Sequence, residues 1–238
     1  EDTAVAARAL AEVVYRAEAS SGVKIHDALV TLSGGYISSA NNQATIKLGQ
    51  PDGRVTPGDI SRVLDMVAQV SSGESNRVLQ VVPRSYLLDG QKSVREPSGM
   101  RCSELQLNAH LILGTRWKIR SINNVLESLE IKPLGLVAAP IASAESVLSS
   151  AEKEIGVALV EIGAVATSVV VYREGAPFHT FSIPVGGFNF TNDIAFSLGL
   201  PYEVAEKLKT ACGHANAGII PRDRMIVLKD LGFDDMRK

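Results

Sequence analysis

Cysteine is scarce in this chain of 238 residues, which holds only Cys102 and Cys212. Two cysteines cannot build a disulfide framework, and these stand at no metal-ligand spacing, so the expectation is a reduced, cytoplasmic protein. An excess of basic charge is also missing. With 24 Lys and Arg against 26 Asp and Glu, the net charge is −2, which excludes the face-sized basic footprint of a nucleic-acid binder. Charge runs such as EKEIG and PRDRM mix both signs and read as solvated faces. No run reaches the roughly 18 apolar residues that a spanning helix needs, and PLGLVAAPIASA is interrupted by prolines. The opening residues do not read as a secretory leader, and none is expected. The four histidines, His26, His110, His179 and His214, form no HExxH-like cluster, and each reads as a surface or satisfied core group, with no metal site expected.

What is present is ordinary globular material, 45% hydrophobic and 21% charged, enough for one large domain or two small ones. Ala6, Leu10, Val13, Val14 and Ala17 share one face of a helix over 3–19, which Gly22 should stop. ALVTLSG follows as a short central strand. Residues 36–49 suggest a strand or a hairpin turning at Asn41-Asn42. TPGDISRVLDMVAQV is the clearest local signal: Thr56 as N-cap, Pro57 at the first helical position and Asp59 closing a capping box.

Two extended stretches, NRVLQVVPRSYLLDG and RCSELQLNAHLILG, lead to a helix over about 116–130 that presents Ile122, Val125, Leu126 and Leu129, with Trp117 a core residue at its start. Residues 36–132 thus read as a compact α+β unit. After it come a short strand and a small-residue helix, then strands GVALVEI, SVVVYREG and PFHTFSIPV. The last two are joined at Glu174-Gly175. Two helices follow, divided by GLP at 199–201.

The stretch VEIGAVATSVVVYREG, residues 160–175, poses the functional question. It places a small-residue turn between two strands, where many nucleotide-binding folds carry glycines. Together with IPVGGFNFTNDIAFSLGLPYEVAEKLKTACG, IASAESVLSSAEKEIG, VVPRSYLLDGQ and VKIHDALVTLSGGYISS, in that architecture's order from about residue 5 to about 214, it resembles the bacterial actin-like cell-division family FtsA. The resemblance implies an α/β fold of actin-like, RNase H-like subdomains with an inserted α+β subdomain of the 1C type. It would place parts of subdomain 1A at 1–35 and 133–150, subdomain 1C at 36–132 and part of subdomain 2A at 151–238.

The same resemblance implies ATP with Mg²⁺ as cofactor of the full-length protein. It also implies contact with the tubulin-like ring protein FtsZ and other division proteins, self-association through 1C, and a membrane-binding tail beyond this chain. The site would lie at the inner face of the cell membrane where the cell divides. The family's first phosphate hairpin and its adenosine loop would fall before residue 1 and after residue 238, so the chain reads as a fragment. Its tail, GIIPRDRMIVLKDLGFDDMRK, is nearly balanced in charge and unlike a basic amphipathic anchor.

Against the family's loop, Asp-x-Gly-Gly-Gly-Thr-Thr-Asp, this chain has Glu161-Ile162-Gly163-Ala164-Val165-Ala166-Thr167-Ser168. Glu161 keeps a carboxylate on a longer arm, and Gly163 and Thr167 remain. Ala164 and Val165 replace glycines, and a β-branched residue at positive φ costs on the order of 1–2 kcal/mol or more. Further nucleotide contacts implied by the resemblance are Glu206 and Lys209 in AEKLK, and Gly186 and Gly187 at a tight strand-to-helix passage. No residue reads as a catalyst. The expectation is therefore an assembly scaffold with weakened nucleotide binding. Two alternatives stay open: an actin-like ATPase with a divergent loop, and a pilus- or secretion-associated relative whose 1C-like unit holds a membrane partner's peptide.

Overall fold

The computed structural model describes residues 3–49, 53–70, 73–221, 223 and 225–231. Contacts divide the chain into two units: 1–161 with 168–183, and 162–167 with 184–238.

In the first unit, helix α1 (Thr3–Ser21) ends at Gly22, whose φ of 71° is the left-handed value a helix stop favours. Strand β1 (Asp27–Leu32) pairs in parallel with β6 (Lys132–Ala138). It has that single ladder partner among the described residues, so it is not the central strand expected, and Leu29 on it is 70% exposed. The apolar side of α1 lines a cavity of about 600 Å³ with β1 and helix α3 (Arg116–Ser128). Trp117 also corrects its expectation. It is 62% exposed, with the Lys118 ammonium 4.5 Å from its ring, because the buried stripe of α3 runs through Ile119 and Leu126.

The inserted sheet is antiparallel, in the order β2 (Ile37–Lys47), β5 (Glu104–Thr115), β3 (Asn76–Leu88), β4 (Lys92–Val94). Helix α2 (Pro57–Val70) packs on one face. Its capping box is formed: Asp59 N–H donates to Thr56 Oγ1 at 3.2 Å, and Thr56 N–H donates to Asp59 Oδ2 at 3.0 Å. The Thr56 hydroxyl also donates to Asp59 Oδ2, at 2.6 Å, and this bond first, then the Thr56 N–H bond and the Arg62 charge, hold the Asp59 carboxyl below its usual range. Alternation along β5 sends Leu105, Leu107, Ala109 and Leu111 into the core under α2, with Val63, Val67 and Tyr86.

Asn41 and Asn42 do not form a turn. They lie in mid-strand opposite His110 and Ala109, because Asn41 finds side-chain and backbone partners that replace those of a turn. Pro83 is tolerated inside β3 for two reasons. The register shifts beside it, and β4 covers only Tyr86–Leu88, so no partner strand faces Pro83 on that side.

After β6 come helices α4 (Ala139–Val147) and α5 (Ser150–Ile155), the second closed by a Ser149–Glu152 capping box. Strands β7 (Val157–Ile162), β8 (Thr167–Arg173) and β9 (Ala176–Ile183) then form a sheet in that order. Glu174 and Gly175, at φ 54° and 75°, make the β8–β9 turn, both at the positive φ that a tight hairpin requires. A second core joins these pieces through Leu32, Ile37, Ile112, Ile119, Ile141, Val170 and Tyr172.

A polar seam joins β9 to the inserted sheet. Ser39 Oγ donates to Thr180 O at 2.6 Å and accepts from Thr180 N–H at 3.0 Å, so one side chain stands in for a neighbouring strand. Asn41 Nδ2 donates to Phe178 O at 2.9 Å, which turns its oxygen toward His110 Nδ1, 2.7 Å away. His110 therefore carries its proton on Nδ1, and its Nε2 accepts from the Thr180 hydroxyl at 2.9 Å. The ring is fully buried. Burial first, then Arg84 and His179, pulls its pKa from 6.5 to about 4.

The second unit contains the 163–166 loop and helices α6 (Gly187–Leu198) and α7 (Tyr202–Cys212). Gly199 closes α6 at φ 62°. The balanced-charge tail lies partly outside the described residues.

Three outcomes follow from these cores, the α2 cap and the seam. Leu107→Ala should cost about 2–5 kcal/mol in denaturant unfolding and Thr56→Ala about 1 kcal/mol. Because the folded pKa of His110 is depressed, its contribution is complete above pH 6.5 and is lost as pH falls toward 4. Between pH 7.5 and pH 5 the native protein should lose about 2 kcal/mol more stability than a His110→Asn variant. Equal losses in the two proteins would refute a neutral His110 in the seam.

Candidate functional site

The seven candidate contacts distribute unequally. Glu161 ends the first unit's share of β7, where Ser143 Oγ donates to its Oε2 at 3.2 Å. Gly163, Thr167, Gly186, Gly187, Glu206 and Lys209 all belong to the second unit, and most of them come together there around the first turn of α6.

The 163–166 loop is a closed turn. Gly163 N–H donates to Ala166 O at 2.9 Å, and Ala166 is buried while Val165 is 66% exposed. None of its residues takes a positive φ, so Val165 carries no left-handed strain. The loop's carbonyls face α6: Gly187 N–H donates to Gly163 O at 2.9 Å and Phe188 N–H to Ala164 O at 2.6 Å. Amides at a helix start are the groups that otherwise attract anions. Here two of them are taken by the protein's own backbone. The amides of Ala164 and Val165 remain without a hydrogen bond among the described residues.

Gly186 makes this approach possible. A Cβ at that position would lie 2.5 Å from Gly163 O and 2.7 Å from Ala164 O. Its own N–H is capped by Asn189 Oδ1 at 2.9 Å. Thr167 closes the other side, its hydroxyl donating to Val185 O at 2.8 Å.

Glu206 and Lys209, one turn apart on α7, face α6. Lys209 Nζ donates to Glu206 Oε2 at 2.7 Å, to Thr191 Oγ1 at 2.8 Å and to Gly187 O at 3.1 Å. Thr191, fully buried, also donates its hydroxyl to Glu206 Oε2. Hydrogen bonds from Lys209 and then Thr191 lower the Glu206 pKa. Chemically, the cluster is an ammonium with its three hydrogens directed at three protein oxygens. No group of three or more metal-ligating side chains occurs among the described residues.

Thr191 escaped the sequence reading, although its place four residues after Gly187 puts it on the same helical face. A polar concavity of about 410 Å³ on the inserted sheet was also missed, lined by Asn41, Asn42, Gln43, Arg84, Ser85 and Asn108. Its signal lay in the register: Gln43 and Asn41 alternate on the face opposite Ala44 and Ile46. Arg84 stacks there, 4.7 Å from the Phe178 ring.

Two family models match this chain: the SHS2 domain inserted in FtsA over residues 34–113, and the cell division protein FtsA over residues 158–238. The cell division protein FtsA of Neisseria meningitidis serogroup B is 32% identical over 94% of this chain and 54% of its own length. FtsA of Pseudomonas aeruginosa has the same identity and coverage. FtsA of Escherichia coli K12 is 30% identical over 92% of this chain and 52% of its own. The chain thus spans about half the length of the curated relatives it matches. Among solved structures, the PilM-PilN type IV pilus biogenesis complex aligns over 73% of this chain and 47% of its own, at TM-score 0.49 and 18% identity. Matched by both the SHS2 unit inserted in FtsA and FtsA itself, and 30–32% identical to these relatives, the chain is an FtsA-like cell-division protein.

Proposed function

We propose that this chain is the core of a division-site scaffold that works by assembly and not by ATP turnover. In the full-length protein it links an FtsZ-like ring to the inner face of the membrane, and the inserted unit at 36–132 serves self-association or partner docking. The likeness to FtsA supports the division role. The observation that supports weakened nucleotide binding is the closed 163–166 loop, whose carbonyls occupy the first two amides of α6.

The residues present do not fit a nucleotide's phosphates. A phosphate would meet two carbonyl oxygens turned toward α6, with the Ala164 and Val165 side chains where family members carry glycines. Glu161, the one acid suited to activate water, has its carboxylate hydrogen-bonded to Ser143. No hydrolytic step is assigned to it.

Titration calorimetry of the full-length protein with Mg-ATP tests the nucleotide clause. Native protein should give no saturable heat, and an Ala164→Gly/Val165→Gly double variant should gain binding. Tight binding by the native protein would make nucleotide-regulated assembly the better account. Fluorescent fusions test the division clause: the protein should gather at the division plane with the FtsZ ring and disperse when the ring is depleted. Accumulation at pilus assembly sites instead would reject it.

A further inference from the structure

The second unit contains a chain of bonds that runs through the positions where relatives are expected to touch nucleotide. It begins on α7 with Lys209. An ammonium has three hydrogens and no acceptor, and here Glu206 Oε2, Thr191 Oγ1 and Gly187 O receive them at 2.7, 2.8 and 3.1 Å. The Thr191 hydroxyl also contacts Gly187 O, at 3.2 Å. The single hydroxyl proton of Thr191 goes to the nearer Glu206 Oε2, so on its carbonyl side Gly187 is held by Lys209. On its other side its N–H reaches Gly163 O, and the next amide, Phe188, reaches Ala164 O. Every link is internal to this unit.

We propose that Lys209 is the tie of a self-contained lock, running from α7 through the first turn of α6 to the 163–166 loop, that holds the loop closed without a ligand. Lys209 is then a positioning residue. It acts through Gly187 and Thr191 and keeps no hydrogen for an adenosine. Gly186 is the other requirement, since any side chain there would drive the loop carbonyls away from the α6 amides. The inference rests on the weakened-binding reading but makes a separate claim: the order of this loop comes from α7, whatever nucleotide is present.

Hydrogen exchange of the full-length protein, read on peptides covering 160–170 and 185–192, tests it with and without Mg-ATP. Lys209→Met keeps the aliphatic stem and removes the ammonium. It should speed exchange at the Gly187 and Phe188 amides on the order of tenfold, with Mg-ATP making no difference. Thr191→Val, which removes one acceptor from the same network, should give a smaller loosening of the same peptides and serves where Lys209→Met does not fold. The proposal is overturned if both variants exchange like the native protein without nucleotide. It is equally overturned if Mg-ATP protects these peptides in the native protein and Lys209→Met abolishes only that protection. If the variants loosen the loop and Mg-ATP protects native and variant alike, the tie stands and the weakened-binding reading falls instead.

Discussion

Strand β5 is the constraint on which the first unit depends, because one alternating sequence must serve two cores. Leu105, Leu107, Ala109 and Leu111 point to α2, and Ile112, one residue on, enters the other cluster with Ile37 and Ile119. A slip of one residue would send every one of these side chains to the opposite face. Register is therefore set by burial on both sides, and β2 and β3 inherit it by pairing with β5. His110 sits between those two sets, at the level where β9 meets the inserted sheet. A smaller group there would leave Asn41 Oδ1 and the Thr180 hydroxyl without these partners, and a charged ring would sit fully buried away from water, so the seam suits a neutral ring with one donor and one acceptor.

The second unit depends on a different constraint, the closeness of two backbones. Loop carbonyls and helix amides can meet only because Gly186 has no side chain, and once they meet each satisfies the other. A backbone N–H left unpaired in a buried turn costs about 1–3 kcal/mol. Here the loop's own carbonyls meet two of the amides at the start of α6. The same reasoning explains how Val165 is accommodated. With no residue of the loop at positive φ, the β-branched side chain simply points outward.

Much of this fold was legible in local patterns. The Thr56–Asp59 box, the Glu174-Gly175 turn, the alternation of β5 and the interruption of α6 and α7 by GLP are each encoded within a few residues, where short-range sterics decide. What escaped depends on distant partners. Asn41-Asn42 has turn chemistry in isolation, and only the register against His110 and Ala109 keeps it extended. Trp117 has the bulk of a core residue, but the phase of α3 is set by Ile119 and Leu126. The central place expected for β1 required neighbours that a local reading cannot count. For the candidate site, the sequence offered Gly186, Gly187, Glu206 and Lys209 as separate nucleotide contacts; that Thr191 connects Gly187, Glu206 and Lys209 depends on the packing of α6 on α7, and Thr191 carried no family signature of its own.

This grouping shows that the candidate contacts have structural partners of their own. Residues placed to meet a ligand are polar and partly buried, so losing that ligand leaves them unsatisfied unless they find each other. Lys209 keeps three oxygens within 3.1 Å and remains only 25% exposed, a placement that an ammonium without partners would not hold against its own hydration. Its partners lie on α6 and α7, which also meet through the rings of Phe188 and Tyr202, 5.3 Å between centroids, so the cluster adds a polar contact to that packing. A position that serves packing in this way has a structural role of its own. The presence of the Glu206–Lys209 pair is thus by itself weak evidence for ATP, because the same two side chains also tie α7 to α6.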